Sequence, residues 1–145
     1  MHTPSDLTIV GLGASAGGLE ALEAFFRGVP ADSGLAFVVV QHLDPTHEGL
    51  LPELLQRATP MPVKAALDGQ ALAADEVYVI TPNTELTLEQ GVLRVNAPVP
   101  PRGQRLPIDL FLCSLAADRG EHAVGVVLSG MGSDGTRGLG AGAYE

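Results

Sequence analysis

Residues 7–28 read LTIVGLGASAGGLEALEAFFRG, and the fold turns on them. Leu7 to Leu12 is short, apolar and followed by a glycine, the pattern of a strand buried on both faces of a sheet. From Ser15 the pattern changes. Leu19, Leu22, Phe25 and Phe26 recur three and four residues apart, which is the spacing of one helix face. Gly28 and Pro30 stop that helix. A buried strand that passes through a glycine turn into an amphipathic helix is the opening unit of a parallel α/β sheet.

The rest of the chain repeats the alternation. Leu35 to Val40 (LAFVVV) predicts a second buried strand, and Gln41 to Glu48 a loop. A helix comes next with Leu50, Leu51, Leu54 and Leu55, and Pro52 falls in its first turn, where a missing N–H costs little. Val77 to Ile80 is a further strand. Glu85 to Val95 alternates polar and apolar around Gln90-Gly91, which predicts a β-hairpin. Val95 to Pro107 is rich in Pro and Arg and reads as an irregular loop. Pro107 to Asp118 predicts a helix with Ile108, Phe111, Leu112 and Leu115 on one face. Ala123 to Leu128 is another buried strand, Ser129 to Gly135 a glycine-rich loop, and a helix is expected near Thr136. Strands alternating with helices predict an α/β fold. The expected form is a three-layer α/β/α sandwich with a mostly parallel, doubly wound, Rossmann-like sheet and one added hairpin. Residues 1–6 read as an N-terminal tail and 7–145 as one domain.

Composition narrows the function. The chain has 145 residues and a net charge of −9, with one lysine among its 8 basic residues. Such a chain is a poor binder of a phosphate backbone, so no nucleic acid partner is expected. A lone cysteine, Cys113, excludes an internal disulfide and any cysteine-cluster metal site. The first residues, MHTPSDLTIV, lack the basic and long apolar stretches of a secretory signal. No apolar run approaches the ~18 residues of a membrane span. The expected setting is therefore soluble and cytoplasmic, without membrane insertion.

Three predicted strands end in polar loops marked by glycine or histidine. In open α/β sheets, sites form at the carboxyl ends of the strands. The first loop, Gly11-Leu-Gly13-Ala-Ser15-Ala16-Gly17-Gly18, admits two functional readings. As G-x-G-x-x-A it is like the dinucleotide fingerprint; as Gly13-x-Ser15-x-Gly17 it is like a nucleophile elbow. The dinucleotide reading expects an acid at the end of the second strand, where Gln41 and His42 stand instead. Ser15 also has an ordinary reading as a helix N-cap.

The second loop carries His42 just past a strand end, where an imidazole serves as a general base near neutral pH. His42, Asp44, His47 and Glu48 are potential metal ligands, but Pro45 keeps the two histidines off a common helix face. Asp44 or Thr46 reads more simply as the cap of the next helix. The third loop, Ser129-Gly-Met131-Gly-Ser-Asp134-Gly, holds a carboxylate between glycines. It is either an Asp-Gly turn or the acid that orients His42. The order Ser, His, Asp differs from that of the α/β-hydrolases.

These runs resemble the catalytic domain of the chemotaxis receptor protein-glutamate methylesterases of CheB type. The matching stretches are GASAGG at Gly13 to Gly18, VVQHLDP at Val39 to Pro45, RLPIDLFLCSLA at Arg105 to Ala117 and AVGVVLSGMGSDGTRGL at Ala123 to Leu139. The wording is most like domains fused to a CheR-type methyltransferase. The resemblance implies a serine hydrolase that removes methyl esters from glutamate side chains of chemoreceptor-like proteins, with glutamine deamidation as a related activity. It implies Ser15 as nucleophile, His42 as base and then acid, and Asp134 as the group that orients His42. The backbone N–H groups of Ala16 and Met131 would hold the oxyanion, and no cofactor is implied. Its partners would be a methylated receptor-like protein and a fused or separate methyltransferase. Ala16 stands where the stand-alone family often has threonine. The chain also ends inside an expected helix, so the domain is expected to be truncated at its C-terminal end.

Overall fold

A computed structural model describes residues 3–14, 18–41, 50–97 and 107–128. In chain order these form β1 (Ile9–Ala14), α1 (Leu19–Arg27), β2 (Ala36–Gln41), α2 (Leu51–Gln56), β3 (Val63–Ala65) and β4 (Val77–Val79). The hairpin strands β5 (Glu85–Glu89) and β6 (Val92–Asn96), the helix α3 (Pro107–Arg119), a 3-10 turn (Gly120–His122) and β7 (Ala123–Leu128) complete them. Five strands make one parallel sheet in the order β3-β4-β2-β1-β7, and β5 and β6 pair antiparallel beside it. The α/β class and the added hairpin match the expectation from sequence. The short strand β3 carried no apolar run long enough to announce it.

Alternation along β1 sorts the two faces. Val10, Leu12 and Ala14 join Leu22 and Phe26 of α1 and Leu51 and Leu55 of α2 in one core. Edge-to-face ring contacts lock α1 to the sheet, with Phe26 5.3 Å from Phe25 and 5.5 Å from Phe37 of β2. On the other face, Ile9, Val38 and Tyr78 share a core with Leu86 and Leu88 of the hairpin and Ile108, Phe111, Leu112 and Leu115 of α3.

The two glycines of β1 point at this second face. A Cβ on Gly11 would sit 2.8 Å from Leu112 and 2.9 Å from Leu115, and one on Gly13 would fall inside the methyl group of Ile108. Both glycines therefore lie within the strand, which extends two residues past the predicted end at Leu12. Their missing side chains let α3 press against the backbone of β1. Since Ile108 lies over Gly13 and Leu115 over Gly11, α3 runs antiparallel to β1. Its first turn stands at the carboxyl end of the sheet.

The hairpin is fastened to α3 by side chains. Ser114 Oγ accepts from the Leu88 N–H at 2.9 Å, and the Asp118 carboxylate accepts from the Gln90 and Gly91 N–H groups at 2.6 and 3.0 Å. Gln90 and Gly91 have φ of 52° and 80°, the left-handed pair that a two-residue hairpin turn requires. The segment expected as a tail is tied to the same end. Thr3 is buried, donates to the Gly91 carbonyl and accepts from the Leu72 N–H, while Arg119 donates to the Pro4 and Ser5 carbonyls.

Two capping assignments differ from expectation. The N-caps of α1 and α2 are Gly18 and Leu50, and neither makes a side-chain cap hydrogen bond. Ser15, Asp44 and Thr46, the polar residues expected as caps, lie outside the described residues.

Replacing Gly13 by alanine should destabilise the protein by about 1–3 kcal/mol, because Ile108 is anchored in the core and cannot withdraw. The same substitution in an Ile108→Ala background should cost clearly less. Denaturant melts of the four proteins of that cycle give the coupling, and additive losses would contradict this packing account.

Candidate active site

The sheet topology converges on one rim. β2 flanks β1 on one side and β7 on the other, so the strand order reverses direction at β1. Such a switch point is where open α/β sheets bind ligands. The register sharpens the point: Ala14, the last residue of β1, is the partner of both Gln41, the last of β2, and Leu128, the last of β7. With strands about 4.8 Å apart, the chain leaves the sheet at three points spanning about 10 Å. The next residues in sequence begin the Ser15, His42 and Ser129–Gly135 segments.

Ser15, Ala16, His42, Met131 and Asp134 themselves lie outside the described residues. So do Asp44, His47, Glu48, Arg102, Arg105, most of the Pro- and Arg-rich loop and the helix expected near Thr136. The described residues supply the frame. The N-terminus of α1 begins at Leu19, just after the first of these exits, and α3 brings its first turn to the same rim. A helix N-terminus without a side-chain cap leaves N–H groups and the positive end of its dipole for a developing anion.

The same geometry weighs on the dinucleotide reading. The room that Gly11 and Gly13 leave is filled by Leu112, Leu115 and Ile108 of α3, not by a cleft for a pyrophosphate. The end of β2 carries Gln41, an amide, where a ribose-binding acid would be expected. No group of three or more His, Cys, Asp or Glu side chains among the described residues could hold a metal ion.

Polar burial adds to what the sequence showed. Gln41, Glu85 and Asp109 are buried, and all three stand at the carboxyl rim. Gln41 ends β2, Glu85 opens β5 and Asp109 lies in the first turn of α3. In the sequence Asp109 reads as an ordinary acid at a helix start. The signal that could have found it is its setting, Pro-Ile-Asp-Leu-Phe, a lone carboxylate among apolar residues.

The shifted titrating groups among the described residues lie elsewhere, at the amino end of β4. The Lys64 ammonium donates to Glu76 at 2.8 Å and holds that carboxyl below its ordinary value of 4.5, with help from the Tyr78 hydroxyl. Burial pushes the Tyr78 hydroxyl far up, and its bond to Glu76 adds to the shift. This cluster fastens an edge strand and takes no part in the rim.

Comparison with known proteins agrees with the frame and identifies the class, an α/β domain of CheB methylesterase fold. Residues 10–142 match the family described as CheB methylesterase. The fold aligns with the CheB methylesterase catalytic domain of Thermotoga maritima at a TM-score of 0.84 and 27% identity, over 95% of this chain and 78% of that one. The chain belongs to the CheB methylesterase family. It is 37% identical over 135 residues to a protein-glutamate methylesterase/protein-glutamine glutaminase of Xanthomonas oryzae pv. oryzae, and 40% identical over 133 residues to one of Burkholderia orbicola. These matches cover 90% and 91% of this chain but 37% and 39% of those relatives. An uncharacterized 104.1 kDa protein of Rhodobacter capsulatus is 54% identical over 91 residues, which are 63% of this chain and 10% of that protein.

The Lys64–Glu76 bond makes a pH prediction. A carboxyl whose folded value is lowered stabilises the fold above its unfolded value near 4.5 and loses that contribution as pH falls through the folded value. Lys64→Met should lower the melting temperature by a few degrees at pH 7, corresponding to about 1 kcal/mol or less for an exposed pair. The difference from the parent should shrink in melts below pH 4. An unchanged difference there would show that the pair contributes through packing alone.

Proposed function

We propose that this chain is an esterase domain that hydrolyses methyl esters of glutamate side chains on chemoreceptor-like signalling proteins, releasing methanol. The carrying observation is the shared register of β1, β2 and β7, from whose neighbouring ends the chain enters the Ser15, His42 and Asp134 segments. Membership of the CheB methylesterase family supports the same reading.

In this mechanism His42 takes the hydroxyl proton of Ser15 as its Oγ attacks the ester carbonyl carbon. The carbonyl oxygen becomes an oxyanion, held by the backbone N–H groups of Ala16 and Met131. Asp134 orients His42 and stabilises the imidazolium. The proton on His42 passes to the departing methoxide, which leaves as methanol, and Ser15 carries the glutamyl acyl group. Water, deprotonated by His42, then releases the glutamate carboxylate and restores Ser15. The same steps with ammonia as leaving group deamidate glutamine. No cofactor enters.

The substrate is a methylated, receptor-like helix, and a CheR-type methyltransferase, fused or separate, is the partner that makes the ester. The cytoplasm is the place of action, where such helices are exposed. No helix among the described residues is long and apolar enough to cross a membrane.

Ser15→Ala should reduce methanol release from a methyl-esterified receptor signalling domain by at least about a thousandfold, with the melting temperature unchanged. Full turnover by that variant would refute the esterase assignment.

A further inference from the structure

The first described residues are woven into the end of the molecule opposite the rim. Thr3 is buried, and its hydroxyl donates to the Gly91 carbonyl and accepts from the Leu72 N–H at 2.6 Å. The Pro4 carbonyl accepts from the Leu7 N–H at 3.2 Å and so turns the chain toward β1. The carbonyls of Pro4 and Ser5 also accept from Arg119 Nη1, each at 3.0 Å. Residues 3–7 thus form a strap across the hairpin turn and the last residue of α3.

Arg119 holds this strap while one of its own donors stays unused. Its side chain is 6% exposed, and its buried Nε–H has no hydrogen-bond partner. Asp118 Oδ2 lies 3.9 Å from that Nε, within ion-pair range but beyond a hydrogen bond. Both oxygens of Asp118 are already taken: Oδ1 accepts from the Gln90 N–H at 2.6 Å and Oδ2 from the Gly91 N–H at 3.0 Å. Strap, turn and guanidinium meet at Gly91, where a Cβ would lie 3.4 Å from Thr3 Cβ and 3.5 Å from Arg119 Nη2. A buried guanidinium needs acceptors, and the two strap carbonyls receive the hydrogen bonds that Arg119 makes. Without them, closing the distance to Asp118 by about 1 Å gives a charge-assisted bond of ordinary length, on the oxygen that now caps the turn.

We propose that Arg119 is a two-position clasp. With the strap seated, it holds Pro4 and Ser5 and leaves Asp118 to the hairpin turn. With the strap away, its Nε–H pairs with Asp118 Oδ2 and draws that carboxylate off the Gln90 and Gly91 N–H groups. Displacement of the first residues is thereby felt at the tip of the hairpin, through one carboxylate for which two partners compete. Ser114, one helical turn before Asp118, keeps its bond to Leu88, so the loosening is confined to the tip. The device is conformational and stands apart from the esterase reading.

The test reads amide hydrogen exchange residue by residue, by NMR, in the full chain. Thr3→Lys puts a long cation into a buried slot beside a guanidinium and releases the strap, which faster exchange of the Leu7 N–H reports. The Gln90 and Gly91 amides should then exchange about tenfold faster, while Leu88 stays within about twofold of the parent. In an Arg119→Met background the same substitution should change Gln90 and Gly91 by less than about threefold, because no guanidinium is left to take Asp118. Thr3→Ser, which keeps the hydroxyl, should match the parent. Equal quickening with and without Arg119 would overturn the clasp, since loss of the Thr3 bonds alone would then explain it. Unchanged Gln90 and Gly91 exchange with the strap released would overturn it too, because water would then have taken the guanidinium. So would quickening of Leu88 to the same degree, which is general loosening. If the lysine variant does not melt cooperatively, Thr3→Ala, which removes both hydroxyl bonds without added bulk, makes the same comparison. Leu7 exchange unchanged in both variants would show a strap that does not release, and would equally end the proposal.

Discussion

The close seating of α3 on the glycine face of β1 is the constraint on which the rest depends. Side chains at Gly11 and Gly13 would collide with Leu112, Leu115 and Ile108, so the absence of two Cβ atoms sets the distance between a helix and the central strand. That distance fixes more than a core. The hairpin is hung from α3 through Ser114 and Asp118, and the N-terminal residues are held by Arg119 and by the hairpin turn. Packed interiors transmit such displacements because they leave no slack. A shift of α3 would carry the hairpin, the N-terminal segment and the first helical turn at the rim together.

The two ends of the sheet are built differently. At the amino end, polar groups satisfy backbone: Thr3, Gln56, Thr59 and Asp118 each bond main-chain atoms of turns, and Lys64, Glu76 and Tyr78 fasten the edge strand β3 to β4. At the carboxyl end, the buried polar side chains are Gln41, Glu85 and Asp109. The groups that fasten turns and the buried polar side chains of the rim are thus separated along the strand axis. Buried carboxylates and amides are costly wherever they occur, and their presence at this end of the sheet fits a rim that is held still rather than merely filled.

The glycines show how a motif can be legible and its physics be misassigned. Gly11 and Gly13 stand out in the sequence as part of a turn that cradles phosphate or sharpens an elbow. In the structure both lie inside β1 and serve packing. Periodicity located the large elements well: β7 matches its predicted span, α3 differs by one residue, and the hairpin turn falls at Gln90-Gly91. It did not locate β3, which is three residues long and forms at a sheet edge only because β4 is there to pair with it. Nor did it place the helix starts, since Gly18 and Leu50 occupy the caps where polar residues were expected.

By itself, then, the order of residues settled the alternation of strand and helix, the parallel α/β class and the three strand-end segments in which the reactive residue types are grouped. These are local properties, carried by hydrophobic period and by what glycine and proline allow. Only the tertiary structure decided that the ends of β1, β2 and β7 stand side by side, and that Asp109, in the first turn of α3, is buried. The place of β7 beside β1 comes from contacts between residues more than a hundred positions apart, such as Ile9 with Ala123. No window of sequence contains both partners of such a contact, so the neighbourhood of the strand ends could be read only after the chain had packed.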